Sequence, residues 1–172
     1  MGASLDVNRA EMLALLPRLR RFAVALTGRT ADADDLVQDT IERALRSLDQ
    51  FTPGTRMDSW MFRIAQNLWI DNLRSRKARG QPVELENAEQ VSVDGRRAAE
   101  ARLMMTDTVR ALAALPEEQR VVVALVLVDG LSYREAASVL QVPIGTVTSR
   151  LARGRDALAA KVLGRATAGW EM

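Results

Sequence analysis

Ser132-Tyr133-Arg134-Glu135-Ala136-Ala137-Ser138-Val139-Leu140-Gln141-Val142-Pro143-Ile144-Gly145-Thr146-Val147-Thr148-Ser149-Arg150-Leu151 is the stretch that decides how this chain is read. It opens with a capping box, a Ser N-cap followed three residues later by Glu. Ala136, Ala137, Val139 and Leu140 then make a short helix with small residues that allow close packing. Gln141-Val142-Pro143 breaks it, since proline lacks a backbone donor and disfavours helix in the residue before it. A second helix starts near Ile144 and runs through Lys161, with Val147, Leu151 and Leu158 as its buried stripe. Thr146, Thr148, Ser149, Arg150 and Arg153 gather around the exposed side of its first turns. That is the arrangement of a helix-turn-helix, whose second helix presents its N-terminal residues to the major groove, where Arg can bridge guanine O6 and N7. Gly145 leaves the helix start open to a phosphate, and Arg134 and Arg155 are placed to hold flanking phosphates. A plain helical hairpin with a solvated basic face is the competing reading on this spacing alone.

The residues around this motif are helical too. Val121 to Val128 is an unbroken apolar run, read as a buried helix because Pro116-Glu117-Glu118 is a helix start and Asp129-Gly130 a stop. Upstream, Ala99, Leu103, Val109 and Leu112 mark another helix. Gly80 to Gly95 carries Gln81-Pro82 and four acidic residues with few large apolar groups, which reads as a flexible linker. Before it, Leu16, Leu19, Ala23 and Leu26 repeat at helical spacing up to Gly28, a C-cap residue, with Pro17 inside the pattern as a kink or a first turn. A second helix from about Asp32 has Leu36, Val37, Ile41, Ala44, Leu45 and Leu48 as its stripe, with acidic residues at its positive end. Phe51 to Thr55 is a loop. A third helix, capped by Asp58 or Ser59, lines one face with Trp60, Ile64, Ala65 and Leu68 and ends in Arg74, Arg76, Lys77 and Arg79. The fold class expected is all-α: two small helical domains joined by a flexible linker, with domains at 1–79 and 99–172 and the linker at 80–98.

Bulk properties narrow the function. The 172 residues are 48% hydrophobic but only 4% aromatic, which suits packed cores of Leu, Val, Ala and Ile. There is no Cys and no His, so disulfides, Cys/His zinc sites and imidazole chemistry are excluded. The formal net charge is +2, so contact with nucleic acid must come from local patches. No apolar run is long enough to insert in a membrane, the N-terminus lacks the order of a signal peptide, and the cysteine-free composition fits the cytoplasm.

Three segments together resemble the extracytoplasmic-function sigma factors of the sigma-70 family. Asp34-Asp35-Leu36-Val37-Gln38-Asp39-Thr40 resembles their acidic helix, Trp60 to Arg74 their intervening helix, and Gly145 to Arg155 their recognition helix. The resemblance covers about residues 10–79 and 105–163. It implies a non-enzymatic, cofactor-free, monomeric protein that brings core RNA polymerase to promoter DNA. Asp35, Gln38, Asp39 and Arg43 would face the β′ clamp helices, with the β flap as a further contact. Thr52, Thr55 and Arg56, in the loop that captures a flipped base, and Asn67, Arg74, Arg76 and Lys77 would hold the −10 element. Arg134, Thr146, Thr148, Ser149, Arg150, Arg153 and Arg155 would read the −35 element. An anti-sigma factor is the implied regulator.

Other readings of single residues stay open. A buried amide competes for Asn67, and Asp71 reads as the partner of a nearby Arg. Of the tryptophans, Trp60 lies on the apolar face, while Trp69 lies off it and is the better candidate to stack on melted bases. The sequence departs from the family at Ile41 and Leu45, where aromatics are common, and at Thr148, in place of a common Lys or Arg. The loop from Phe51, with Met57 and Trp60, is similar to the subgroup that runs the general stress response in alphaproteobacteria. Two rivals remain: a regulator that binds DNA alone as a dimer, and an enzyme using Asp34, Asp35 and Asp39 to hold Mg²⁺.

Overall fold

The structure, a computed structural model, describes residues 2–52, 54–80 and 107–168. The expected linker therefore falls almost wholly outside the described residues, as do Ala99 and Leu103 of the helix expected upstream of Pro116. Every regular element among the described residues is helical. The first half holds α1 (Gly2–Thr27), α2 (Thr30–Arg46), a short 3₁₀ turn (Leu48–Gln50) and α3 (Met57–Ala78). The second holds α4 (107–113), α5 (Glu117–Val123) widening into a π-helical stretch (Ala124–Val128), α6 (Tyr133–Leu140) and α7 (Ile144–Ala168).

Pro17 neither starts nor ends α1; it sits within one continuous helix. Leu19, Phe22, Ala23 and Leu26 form the buried stripe of that helix, and Phe22 meets Phe62 of α3 with ring centroids 4.9 Å apart. The helix stops at Gly28, whose φ of +74° is the left-handed conformation expected of a C-cap glycine. On α2 the core side is Ala33, Leu36, Thr40 and Ala44. Leu45, expected in the stripe, is 47% exposed. Thr40 stands among the apolar residues because its Oγ1 donates to the Leu36 carbonyl at 2.6 Å.

α3 differs most from expectation. Neither Asp58 nor Ser59 stands at its N-cap; Arg56 does, without a side-chain cap bond, and Asp58, one residue inside the helix, accepts from the Ser59 amide at 2.7 Å. Its buried face is Met57, Met61, Phe62, Ala65, Trp69 and Leu73. Trp60, Ile64 and Leu68 are only half-buried. The helix carries apolar residues over a wide arc, so two stripes one residue apart both satisfy helical spacing. Packing against α1, α2 and the second half chooses between them.

The helix-turn-helix forms as expected. Ser132 Oγ accepts from the Glu135 amide at 3.3 Å, and Glu135 Oε2 accepts from the Ser132 amide at 2.8 Å, closing the capping box. The turn is made at Gln141, the one non-glycine residue with positive φ (54°) among the described residues. The Pro143 carbonyl then accepts from the Thr146 amide at 2.9 Å as α7 begins. Val147 and Leu151 are buried against α5, and Gly154 lets the two helices close: a Cβ there would lie 2.7 Å from Val123 Cγ2. The run from Val121 is helical, as expected, but it is buried only as far as Leu125, Leu127 is 46% exposed, and its end widens. The Asp129 amide bonds the Ala124 carbonyl five residues back, at 3.1 Å. One core is continuous through both halves, from Met12 on α1 to Leu151 on α7.

Candidate nucleic-acid and protein interfaces

Three outward surfaces carry the expected site residues. On α2, positions 35, 39 and 43 follow one another at i, i+4 with 38 beside them, so Asp35, Gln38, Asp39 and Arg43 share one exposed face. Helical spacing alone produces this grouping, because the buried stripe occupies the opposite side.

The second surface is the loop and the outer side of α3. Thr52 and Thr55 are exposed and tied to each other: Thr55 Oγ1 donates to the Thr52 carbonyl at 2.6 Å. Asn67 is exposed and so is not a buried amide. Arg74 is exposed and pairs loosely with Asp71 at 3.8 Å, the role expected of Asp71. Arg76 leans back to Asp32 at 3.6 Å, and Lys77 bonds Glu117 of α5 at 2.6 Å. Trp69 must be corrected. It is only 4% exposed, and Arg120 of the second half lies over its ring 5.5 Å from the centroid. It cannot stack on a base in this arrangement. Trp60, expected in the core, is half-buried beside Phe51, with ring centroids 5.2 Å apart.

The third surface is the helix-turn-helix. Arg134, Thr148, Ser149, Arg153 and Arg155 are exposed and Thr146 is half-buried. Thr148 Oγ1 and Ser149 Oγ donate back to the carbonyls of Ile144 and Thr146. Arg150 differs from its neighbours: its side chain is 21% exposed and bridges Glu118 at 2.9 Å. Arg153 and Arg155 make no ion pair among the described residues.

Sequence reasoning missed a set of polar residues that join the two halves. Arg18 of α1 donates to Asp58 Oδ2 at 2.9 Å and to the Asp129 carbonyl at 3.3 Å. Arg56 grips both oxygens of Asp58, at 3.0 and 2.6 Å, and bonds Glu135 Oε1 with its remaining nitrogen. Arg63 donates to the Ser138 carbonyl at 2.5 Å. Arg120 reaches the other way, to the Leu26 carbonyl of α1 at 2.8 Å, while also bonding the carbonyls of Ala113 and Leu115. Asp58 and Asp129 respond oppositely to this setting. Although burial acts against the charge of Asp58, bonds from Arg56, Arg18 and the Ser59 amide outweigh it and bring the carboxyl to about 2. Asp129, whose side chain is fully buried, has no hydrogen-bond donor on either oxygen; Arg18 and Arg21 stop at 4.0 and 3.8 Å. Burial pushes it up to about 6 against the pull of those two cations. Nothing in the local pattern signals these partners, which lie 75 to 111 residues apart for Arg63, Arg56, Arg120 and Arg18.

An acidic outward helix, a basic loop-and-helix surface and a helix-turn-helix on one all-helical chain define a DNA-reading protein of the transcription machinery. Residues 12–79 match the family model of sigma-70 region 2, and residues 107–158 that of sigma-70 region 4. The chain is 36% identical over 155 residues to the ECF RNA polymerase sigma factor EcfG of Rhodopseudomonas palustris, covering 90% of this chain and 84% of that protein. It is 30% identical to the ECF RNA polymerase sigma factor SigW of Bacillus subtilis, over 82% of this chain and 81% of that one. Among solved structures, the sigma factor RpoE in complex with the anti-sigma factor NepR, from Bartonella quintana, superposes with a TM-score of 0.73 at 31% identity, over 90% and 95% of the two chains. CnrH in complex with the cytosolic domain of CnrY superposes at 0.67 and 27% identity, over 91% and 89%. The chain belongs to the extracytoplasmic-function sigma factors of the sigma-70 family and directs promoter-specific transcription initiation by RNA polymerase. The members of that family are transcription regulators rather than enzymes. No helix among the described residues is long and apolar enough to cross a membrane.

Proposed function

We propose that the two halves divide promoter recognition, with residues 1–79 serving core polymerase and the −10 element and residues 99–172 the −35 element. Asp35, Gln38, Asp39 and Arg43 bind the β′ clamp helices. Thr52, Thr55, Arg56, Asn67, Arg74, Arg76 and Lys77 hold the −10 strand, with Trp60 rather than Trp69 as the stacking ring. Arg134 and the exposed residues of α7 dock on the −35 duplex, and a contact of the second half with the β flap sets its distance from the first. The protein acts as a monomer in the cytoplasm, without a cofactor. The observation that carries this reading is that the face of α2 and the outer face of α7 are both open to solvent, one acidic and one basic. An acidic face suits a protein partner and a basic one suits phosphate, so one chain can hold polymerase and duplex at once.

An anti-sigma factor regulates it. The two similar solved sigma structures, with NepR and with the cytosolic domain of CnrY, support this partner. Stress-response genes are the targets, a reading supported by the loop from Phe51. Run-off transcription with purified core polymerase tests the proposal. Promoter-dependent product is expected only when this chain is added. No product from any promoter selected by sequencing holoenzyme-bound DNA overturns it.

A further inference from the structure

The face of α7 that meets α5 is built from positions 147, 150, 151 and 154, which follow one another at i, i+3, i+4 and i+7. Val147, Leu151 and Gly154 are buried and fill it with apolar or small groups. Arg150 is the one charged member. Its side chain is 21% exposed, whereas Thr148, Ser149, Ala152 and Arg153 are all exposed, so its place on the helix turns it toward α5 and away from them. Gly154 fixes how the two helices meet: a Cβ there would lie 2.7 Å from Val123 Cγ2 and 3.6 Å from Gln119 Cβ. Arg150 stands one turn before Gly154, and Glu118 is the neighbour of Gln119, so this close approach brings the two charges together. Arg150 Nη2 lies 2.9 Å from Glu118 Oε2, and among the described residues no other ion pair joins α5 to α7.

We propose that Glu118 and Arg150 are positioning residues for −35 reading: the pair ties the first turns of α7 to the start of α5 and sets the angle at which Ser149 and Arg153 meet the duplex. The apolar contacts of Val147 and Leu151 hold the two helices together but have no direction, and by themselves they leave α7 free to roll about the Gly154 contact. A charge pair on one flank opposes that roll, because its attraction weakens as the partners separate. A recognition helix needs such a restraint, since hydrogen bonds to base edges form only within narrow limits of distance and angle. Arg150 thus acts on the bases through Glu118 and not by touching them. Pairing also suits Glu118. Its side chain is 70% exposed beside a basic docking face, where an unpaired carboxylate would repel phosphate at every sequence. This role rests on the −35 docking proposed above for α7, and it gives a part in reading to Glu118, which lies outside the helix-turn-helix.

The test is binding of holoenzyme to promoters that share one −10 element and carry either the selected −35 element, a scrambled one, or single changes along it. The ratio of affinities for selected and scrambled −35 DNA should fall about fivefold in Glu118→Ala and in Arg150→Ala, the upper end for a pair with one exposed partner. The double variant should be no worse than either single one, because each already breaks the same pair. The loss should spread over several −35 positions, as a changed helix angle requires, with the melting temperature little altered. Charge reversal, Glu118→Arg with Arg150→Glu, keeps the net charge and should bring the ratio back to within about twofold of the unsubstituted chain. Glu118→Gln, the smallest change, should lose part of the ratio even though it removes a negative charge from the DNA side. An unchanged ratio in both Glu118→Ala and Glu118→Gln overturns the proposal, and so does affinity that rises equally for all sequences, since the carboxylate then only repels phosphate. A loss in Arg150→Ala confined to one −35 position and not restored by charge reversal overturns it too, and makes Arg150 a direct reader of that base. If scrambling the −35 element leaves the unsubstituted holoenzyme unaffected, the −35 role of α7 fails and the positioning role with it.

Discussion

Gly28 shows how much one residue can report. Its left-handed φ disfavours any Cβ, and the space a Cβ would take belongs to Ala113 in the other half of the chain. Gly28→Ala should lower stability by about 2–3 kcal/mol in urea denaturation, part from backbone strain and part from overlap. Gly130→Ala is the control: it has a similar φ with open space around it and should lose about 1 kcal/mol. Equal losses at the two sites would contradict the close approach of α1 and α4. On α7 the arginines separate by their surroundings. Arg153 and Arg155 are exposed without an ion pair among the described residues, so Arg153→Ala or Arg155→Ala should weaken −35 binding without changing the melting temperature. Arg150→Ala breaks the bridge to Glu118, costing less than about 1 kcal/mol of stability because Glu118 is exposed, and should cost about 1–3 kcal/mol in base discrimination. A panel of −35 sequence variants bound by holoenzyme measures both; unchanged preference in Arg150→Ala removes it from the readers.

At the scale of elements, α6 is the clearest case of a helix legible in sequence. Its capping box, stop and register can all be read from Ser132 to Pro143, because each depends on neighbours within four residues. Ser132→Ala should destabilise the chain by about 1 kcal/mol in thermal unfolding, and a change below about 0.3 kcal/mol would argue against the cap. α3 was less legible because its apolar residues span too much of its circumference to select one face. The same cause misled the reading of Trp60 and Trp69. The π-helical end of α5 delivers Asp129 to the junction of the halves, and its burial gives the fold a pH dependence. Arg18 and Arg21 of α1 face this carboxylate, and Asp58 of α3 adds repulsion. A carboxyl raised to about 6 binds its proton more tightly in this packed state than in the unfolded chain. Its contribution is therefore complete below about pH 4 and is lost as pH rises through 6, by at most about 3 kcal/mol. Asp58, held at about 2, acts in reverse: its contribution is present above about pH 4 and is lost as pH falls towards 2. Stability should peak near pH 4, and Asp129→Asn should flatten the fall from 4 to 6. Denaturation midpoints across that range check both statements.

For the whole molecule, the face of α2 can be tested through its capture of core polymerase. Asp35→Ala with Gln38→Ala lies on the exposed face of α2, where Asp35 also borders a cavity lined by Arg120 of the second half, and should weaken capture of core polymerase by roughly tenfold, about 1.4 kcal/mol, with circular dichroism checking that the fold is kept. Normal co-purification with the β′ subunit would contradict the role of that face.

The sequence alone determined the helices, the helix-turn-helix, the acidic face of α2 and the family, since all of these are written in spacings of three to seven residues or in local motifs. Only the tertiary structure decided which side of α3 is buried, that Trp69 is covered by Arg120, that Arg150 is bridged, and that Arg56, Arg18 and Arg120 hold the halves together. Those facts join residues tens to more than a hundred positions apart. Which distant partner a guanidinium meets is fixed by how whole helices pack, and no local period records it.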